Sequence, residues 1–183
     1  VDLMQYNQIL KSGFAKNKKS FGPKGVKSEK AADIDWAKLE DNAVKDAEKN
    51  TQDNPFDMDD TTYKKYYADK VSKVKDSKKN VNFENAAEFD DFKLFLQIAK
   101  ELGIETKVVL FPVNGKWYDH LGLNKETREK YYSKMKSIIE SYGASAWDLS
   151  SKEYEQDYMH DGIHPGWKSW IETNKALYDF FNK

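Results

Sequence analysis

A buried strand between two amphipathic stretches does most to limit the folds open to this chain. Residues 106–111 (Thr-Lys-Val-Val-Leu-Phe) form an apolar run that Pro112 ends, which predicts a buried strand. Upstream, residues 85–102 place apolar side chains every three or four positions, and Gly103 stands where a helix would end. The pattern therefore predicts a helix that leads directly into a core strand.

The same alternation continues towards the C-terminus. A second amphipathic helix is predicted from near Lys125 to Gly143, a second strand over residues 144–149, and a last helix that opens at Pro165. This order is typical of parallel strands joined by helical crossovers, so the predicted fold class is α/β. Two strands are too few for a sheet covered on both faces, and we expect further strands upstream.

The first 84 residues differ in composition from the rest. Lysine accounts for 17 of the first 80 residues, and apolar side chains at helical spacing are sparse there. We interpret residues 1–84 as a helical, lysine-rich segment packed on the main body. Residues 85–183 are interpreted as the C-terminal half of an α/β domain.

Charge and composition exclude several functional classes. Thirty basic residues nearly balance 31 acidic ones, so no overall field attracts nucleic acid or a membrane surface. Arg128 is the only arginine, and lysine lacks the bidentate geometry of base readout, so we expect no nucleic-acid partner. The absence of cysteine excludes disulfides, thiol catalysis and metal–thiolate sites.

The segment after the second predicted strand carries the best candidate for chemistry. Asp161 precedes His164 by three residues, just before a helix, and Gly162 permits a tight turn between them. An aspartate at this spacing can accept the Nδ1–H of the imidazole and leave Nε2 free as a general base. The alternative is structural: Asp161 caps the turn or the helix, and His164 is an ordinary surface histidine.

A metal site is the competing interpretation of the same segment. His160 and His164 are four residues apart, a helical ligand spacing, and Asp157 lies nearby. Gly162 and Pro165 oppose a regular helix here, and no glutamate follows His160 as the zincin motif requires. We therefore predict a proton relay and no metal.

A serine nucleophile is not evident in the chain. No Gly-x-Ser-x-Gly or Gly-Asp-Ser sequence occurs, although a serine hydrolase on an α/β sheet presents its serine at a glycine-flanked turn. If Asp161 and His164 belong to a triad, we expect the third member to lie before Val1.

The segment after the first predicted strand supplies two further candidates. Asn114 and Trp117 lie in a predicted loop running from about Val113 to Asn124, where an amide and an aromatic wall could face a substrate. The alternative is an Asn-Gly turn with the tryptophan packed beneath it. The aromatic residues of the last helix, Trp167 and Trp170, are predicted to be core, as is Leu177 in the same helix.

Two motifs resemble a known family. Pro-Val-Asn-Gly-Lys-Trp-Tyr-Asp at residues 112–119 and Asp-Gly-Ile-His-Pro-Gly-Trp-Lys-Ser-Trp at residues 161–170 are similar to the C-terminal half of the DltD family. These are extracellular proteins of D-alanyl-lipoteichoic acid biosynthesis in Gram-positive bacteria. The similarity covers most of the chain and is strongest over residues 85–183.

The resemblance implies a fold, a site and a setting. It implies a three-layer, SGNH-hydrolase-like α/β/α fold with a Ser–Asp–His triad, in which Asp161 is the aspartate and His164 the base. It favours a substrate-facing role for Asn114 and Trp117. The implied partners are lipoteichoic acid or a D-alanyl donor and membrane proteins of the D-alanylation pathway, at the extracellular face of the membrane. No cofactor is implied, because side chains complete triad chemistry.

Two functions remain open at this point. In the first, the chain supplies the Asp–His half of an acyl-transfer site, while the serine, the oxyanion-hole region and a membrane anchor lie upstream. The polypeptide alone would then be catalytically incomplete. In the second, it is a non-catalytic binding module of the cell envelope that holds teichoic acid or a membrane partner.

Overall fold

The computed structural model describes residues 34–181; residues 1–33 of the predicted helical segment lie outside this range. Residues 35–181 belong to one compact unit. The elements of the described residues are α1 (Trp36–Asn50), α2 (Asp60–Tyr66), α3 (Val71–Val74), α4 (Glu88–Glu101), β1 (Lys107–Leu110), α5 (Gly115–His120), α6 (Lys125–Ser141), β2 (Ser145–Asp148) and α7 (Trp167–Phe181), with a 3-10 turn over Ser150–Lys152.

The two strands form a parallel pair joined by α6, as the sequence predicts. Lys107 lies opposite Ser145 at one end of the pair, and Leu110 lies opposite Asp148 at the other. Parallel strands need a long crossover because each must start at the same end of the sheet, and a 17-residue helix supplies it here. The predicted α/β character is confirmed.

One face of the strand pair is covered by α4 and α6. The buried side chains of this core are Phe89 and Leu96 on α4, Leu110 on β1, and Ile138 and Ile139 on α6. Side chains alternate across a strand, so Val108 joins the same cluster from β1. The helices therefore pack their apolar stripes on the sheet, as their three-to-four spacing predicts.

The opposite face is covered by the segment that follows β2. Val109 and Phe111 point to this side, together with Trp147 from β2, and they pack on buried Leu149, Tyr158 and Met159. The chain after β2 therefore turns back over the sheet. This return places residues 158–166 beside the carboxyl end of β1, where ligands bind in open α/β sheets.

The predicted loop after β1 contains a short helix, and the last helix begins later than predicted. α5 occupies residues 115–120, and its first turn is capped by the Asn114 side chain, which accepts the Trp117 N–H at 2.9 Å. An asparagine before a glycine favours both a turn and a helix cap, and here the cap forms. Pro165 pairs with Met159 in an antiparallel bridge, so α7 starts at Trp167.

The prediction that Trp170 and Leu177 are core residues is wrong. α7 packs on α1, and the buried residues at this contact are small: Ala43 and Ala47 on α1, with Ser169 and Thr173 on α7. Small side chains allow the helices to approach closely. Trp170 is half exposed and Leu177 is 42% exposed, while Tyr178 contacts Trp36 at the end of this interface.

The described part of the lysine-rich segment contacts the main body through its backbone. The N–H of Asp76 donates to the carbonyl of His120 at 3.0 Å, and the N–H of Lys78 donates to that of Leu121 at 2.7 Å. The N–H of Asp59 donates to the carbonyl of His160 at 2.9 Å. No helix within residues 34–181 has the length and apolar character needed to cross a bilayer.

The core between α4, β1 and α6 generates a first prediction. Leu96 is 2% exposed, whereas Leu94 on the same helix is 56% exposed. We expect Leu96→Ala to lower the free energy of unfolding by about 2–5 kcal/mol, because it leaves a cavity. We expect the matched change Leu94→Ala to alter it by less than about 0.5 kcal/mol. Urea unfolding measures both, and equal losses would contradict this assignment of the core.

Candidate active site

A tight loop after β2 carries the predicted Asp161–His164 pair. The bridge between Met159 and Pro165 closes the loop, and the N–H of His160 donates to the carbonyl of His164 at 2.9 Å. These bonds hold residues 161–164 in a compact turn.

Two glycines allow this loop to lie where it does. A Cβ at Gly166 would lie 2.8 Å from the backbone nitrogen of His160, closer than non-bonded atoms approach. A Cβ at Gly162 would lie 3.0 Å from Cδ1 of Trp117. Gly166 therefore permits closure of the loop, and Gly162 lets it pack on α5.

The predicted contact between Asp161 and His164 is confirmed. Oδ2 of Asp161 lies 2.8 Å from Nδ1 of His164, and Oδ1 accepts the N–H groups of Ile163 and His164, both at 2.9 Å. An ionised carboxylate only accepts, so Nδ1 carries the proton and Nε2 is left as an acceptor. The imidazole is 68% exposed, and Nε2 has no hydrogen-bond partner among residues 34–181.

The surroundings of Asp161 favour its ionised form. Burial by itself would raise the carboxyl pKa, but the N–H groups of Ile163 and His164 and the His164 side chain hold the pKa below its ordinary value of 3.8. Tyr67 lies beside the carboxylate, since its hydroxyl accepts the Gly162 N–H at 3.4 Å. Burial and the negative charge of Asp161 raise the pKa of Tyr67.

The structure brings Asn114 and Trp117 to the same loop. The N–H of Asn114 donates to the carbonyl of Gly162 at 3.0 Å, and Trp117 packs against Gly162. Both side chains are buried: the Asn114 amide donates to the carbonyl of Phe56 at 2.8 Å, and the Trp117 ring packs edge-on against Phe56 and Tyr67. They hold the loop in place, and their predicted contact with substrate remains a prediction.

His160 points away from the pair and towards α2. Its Nε2 lies 3.0 Å from Oγ1 of Thr62, and its ring packs on Trp167. Among the described residues, no three His, Asp or Glu side chains cluster closely enough to hold a metal ion.

Sequence reasoning missed the role of the lone arginine beside this site. Arg128 is buried on α6, and it forms a bidentate pair with Glu153 through Nε–Oε1 and Nη2–Oε2, both 2.9 Å. Its Nη1 donates to Oδ1 of Asp119 at 2.8 Å. The Tyr154 hydroxyl lies between the same two residues: it accepts from Nη2 of Arg128 at 2.9 Å and donates to Oδ2 of Asp119 at 2.8 Å. The signal was available, because one arginine among 29 lysines suggests a position that needs a bidentate donor.

The arginine cluster joins the segments that leave the two strands. Asp119 belongs to α5 after β1, and Glu153 follows β2. The Glu153 carbonyl also accepts the N–H of Gly115 at 2.8 Å. Burial opposes the guanidinium charge, but the bonds to Glu153 and Asp119 outweigh it and raise the pKa of Arg128. The arrangement fixes α5 relative to the loop that carries Asp161.

Almost the whole chain matches one protein family. Residues 2–182 match the family described as "DltD protein". The chain belongs to the DltD family. The Protein DltD of Bacillus subtilis (strain 168) is 37% identical over 162 residues, which are 88% of this chain. Those of Staphylococcus aureus (strain NCTC 8325 / PS 47) and Lacticaseibacillus rhamnosus are 32% and 28% identical, over 93% and 71% of this chain.

These DltD relatives are much longer than the match. The aligned region is 41% of the Bacillus subtilis protein, 42% of the Staphylococcus aureus protein and 31% of the Lacticaseibacillus rhamnosus protein. The chain therefore spans less than half the length of the curated DltD proteins it matches.

The hydrogen bonds of Asp161 generate a second prediction. Its lowered pKa means that its contribution to the free energy of unfolding is present above about pH 4 and is lost as the pH falls through the folded-state pKa. We expect His164→Ala to raise the pKa of Asp161, because the Nδ1 donor is removed. Carboxyl-carbon NMR titration measures this pKa, and an unchanged value would show that the imidazole does not bind the carboxylate.

The buried arginine generates a third prediction. We expect Arg128→Met to lower the free energy of unfolding by about 3–5 kcal/mol, since Glu153 keeps a buried charge without its partner. Lys130→Met is the matched control, because Lys130 lies on the same helix and pairs with Glu126 at the exposed surface. Chemical unfolding compares the two, and a similar small loss in both would contradict a structural role for Arg128.

Proposed function

We propose that this chain supplies the aspartate and histidine of a Ser–Asp–His acyl-transfer site that acts in D-alanylation of lipoteichoic acid. The observation that carries the proposal is the 2.8 Å contact between Asp161 and Nδ1 of His164, with Nε2 on an exposed imidazole. The place of the pair, in a loop that packs beside the carboxyl end of a parallel strand, supports the same function.

Each residue of the pair has a definite role in this proposal. Nε2 of His164 takes the proton of the serine hydroxyl as the serine attacks the D-alanyl carbonyl, and returns it to the leaving group. It then takes the proton of a polymer hydroxyl as that oxygen attacks the acyl carbonyl, and it gives this proton to the serine oxygen when the serine ester bond breaks. Asp161 keeps Nδ1 protonated and stabilises the imidazolium that forms at each proton transfer.

The rest of the site is proposed to lie in the part of DltD proteins that this chain does not match. That part would hold the serine, the oxyanion hole and the membrane anchor, and its strands would complete a three-layer, SGNH-like α/β/α fold at the extracellular face of the membrane. The small sheet supports this view, since β1 and β2 each have one edge without a partner strand among residues 34–181, and a parallel sheet in a compact domain normally has more than two strands.

Asn114 and Trp117 are proposed to border the substrate beside His164. Both contact Gly162 within the Asp161–His164 turn, so a ligand at the imidazole would lie near them. The proposed partners of the site are lipoteichoic acid or a D-alanyl donor, delivered by membrane proteins of the D-alanylation pathway.

A second candidate function is a non-catalytic binding module of the cell envelope. One observation favours it: Asp161 also accepts two backbone N–H groups of its own turn, which is a structural role for the carboxylate. In this case the His164 side chain has no part in acyl transfer. The variants described next separate the two functions.

The role of His164 generates a fourth prediction. In the full-length protein, we expect His164→Ala to lower the rate of D-alanyl transfer by about 10³-fold or more, because the general base is lost. Ile163→Ala is the matched control, since Ile163 is exposed in the same turn. Incorporation of labelled D-alanine into lipoteichoic acid measures the rate. If His164→Ala incorporates D-alanine at the wild-type rate, the proposed acyl-transfer role is wrong and the binding-module function is favoured.

The variant Asp161→Asn tests, within the same prediction, whether Asp161 sets the tautomer of the His164 imidazole. The amide oxygen can still accept the N–H groups of Ile163 and His164, so the turn is preserved. The amide N–H₂ would face Nδ1 and stabilise the tautomer with the proton on Nε2, which cannot act as a base. We expect the rate to fall by about 10⁴-fold, with a melting curve that shows the variant folded at the assay temperature.

A further inference from the structure

Two adjoining cavities open beside the carboxyl end of β1. Their volumes are about 330 and 340 Å³, and Val81, Phe83 and Tyr131 line both. We call the two together the Tyr131 groove. The first cavity also contains Phe111 and Val113 from the end of β1, so the groove lies at the edge of the sheet where ligands bind.

Lysines line the Tyr131 groove along its length. Lys78 lines the first cavity, and Lys79, Lys130 and Lys134 line the second. Glu84 lines the second cavity, and Glu126 pairs with Lys130 at 2.7 Å. Arg128 also lines the first cavity, where its charge is paired with Glu153 and Asp119.

Few of these lysine charges are neutralised by protein groups. The Lys134 ammonium donates to the backbone carbonyl of Glu84 at 2.6 Å and forms no ion pair among the described residues. The carboxylate of Asp90 lies nearby, but it pairs with Lys93 at 2.8 Å. Lys78 and Lys79 form no ion pair within residues 34–181. The residues that line the groove therefore carry a net positive charge, although the whole chain is close to neutral.

Between the lysines, the groove offers rings and neutral polar groups. Tyr118 and Tyr131 line it, with Asn80 and Asn82 in the second cavity. Aromatic faces pack against carbon–hydrogen surfaces, and phenol and amide groups bond to hydroxyls. Lysines can bind phosphates, and the rings and neutral polar groups can contact polyol units, so the lining fits a polymer that contains both.

The groove lies close to the Asp161 loop. Tyr118 lines the first cavity, and its pKa is raised by burial and by the negative charge of Asp161. Tyr118 belongs to α5, the helix that packs on Gly162 through Trp117. Helix α5 therefore links the first cavity to the Asp161 loop.

We propose that the Tyr131 groove binds successive phosphates of an anionic polyol-phosphate polymer and so guides a polymer hydroxyl towards His164. The proposal rests on the proposed function for its reaction, but the binding site is independent of it. The only arginine is fully engaged in the buried cluster, so the groove offers lysine point charges rather than the bidentate donors that read nucleic-acid bases.

The test is a binding measurement on the full-length protein with a poly(glycerol phosphate) oligomer as the probe. The groove variant is Lys78→Gln with Lys79→Gln, and the matched control is Lys45→Gln with Lys175→Gln, which removes the same charge from exposed positions on α1 and α7. We expect the groove variant to weaken binding about tenfold and to lower the slope of log Kd against log salt by about 1.4, or about 0.7 for each lost phosphate contact. We expect the control to bind as the parent does.

Equal affinities of the groove and control variants would overturn the proposal, as would equal affinity for single-stranded DNA of the same charge. A melting curve checks that each variant is folded, and the charge reversal Lys78→Glu with Lys79→Glu should weaken binding further. His164→Ala should bind the polymer normally. Loss of transfer in His164→Ala with unchanged binding in the groove variant would refute the groove and leave the proposed function intact. Normal transfer in His164→Ala with weakened binding in the groove variant would refute the proposed function and leave the groove intact.

Discussion

The buried ion pair between Arg128 and Glu153 is the interaction on which the arrangement of the site depends. A two-stranded sheet is too small to fix the long segments that leave its strands. The guanidinium provides the missing constraint, because it binds Asp119 after β1 and Glu153 after β2 at the same time. A buried pair of this kind adds little net stability, but the loss of one partner is costly. The cluster therefore acts mainly to hold two segments in one relative position.

The Asp161–His164 turn is organised from this fixed position. Gly162 packs on Trp117, Gly166 allows the backbone to close on His160, and three donors bind the Asp161 carboxylate. The imidazole is thus held at Nδ1 while its other nitrogen stays accessible. A general base needs this combination of fixed orientation and open access, which explains why a largely exposed histidine can serve in the proposed reaction.

The sequence predicted those features that depend on local pattern. The two strands, the crossover helix and the Asp161–His164 contact follow from apolar spacing and from a three-residue separation in a tight turn. The helix after β1 was missed because Asn114 before a glycine favours a turn as well as a cap. The exposure of Trp170 was missed because helical spacing does not reveal that α7 uses small residues against α1. The cluster at Arg128 joins residues up to 35 positions apart in the chain, from Asp119 to Tyr154, and no local pattern specifies such contacts.

Labelling of the full-length protein with a serine-directed fluorophosphonate tests the central claim most directly. If this chain supplies the aspartate and histidine of a triad, a single serine outside these 183 residues should be labelled. The labelling rate should fall steeply in His164→Ala, which lacks the general base, and should remain normal in Ile163→Ala. Labelling of a serine within this chain, or a rate that does not depend on His164, would contradict the account.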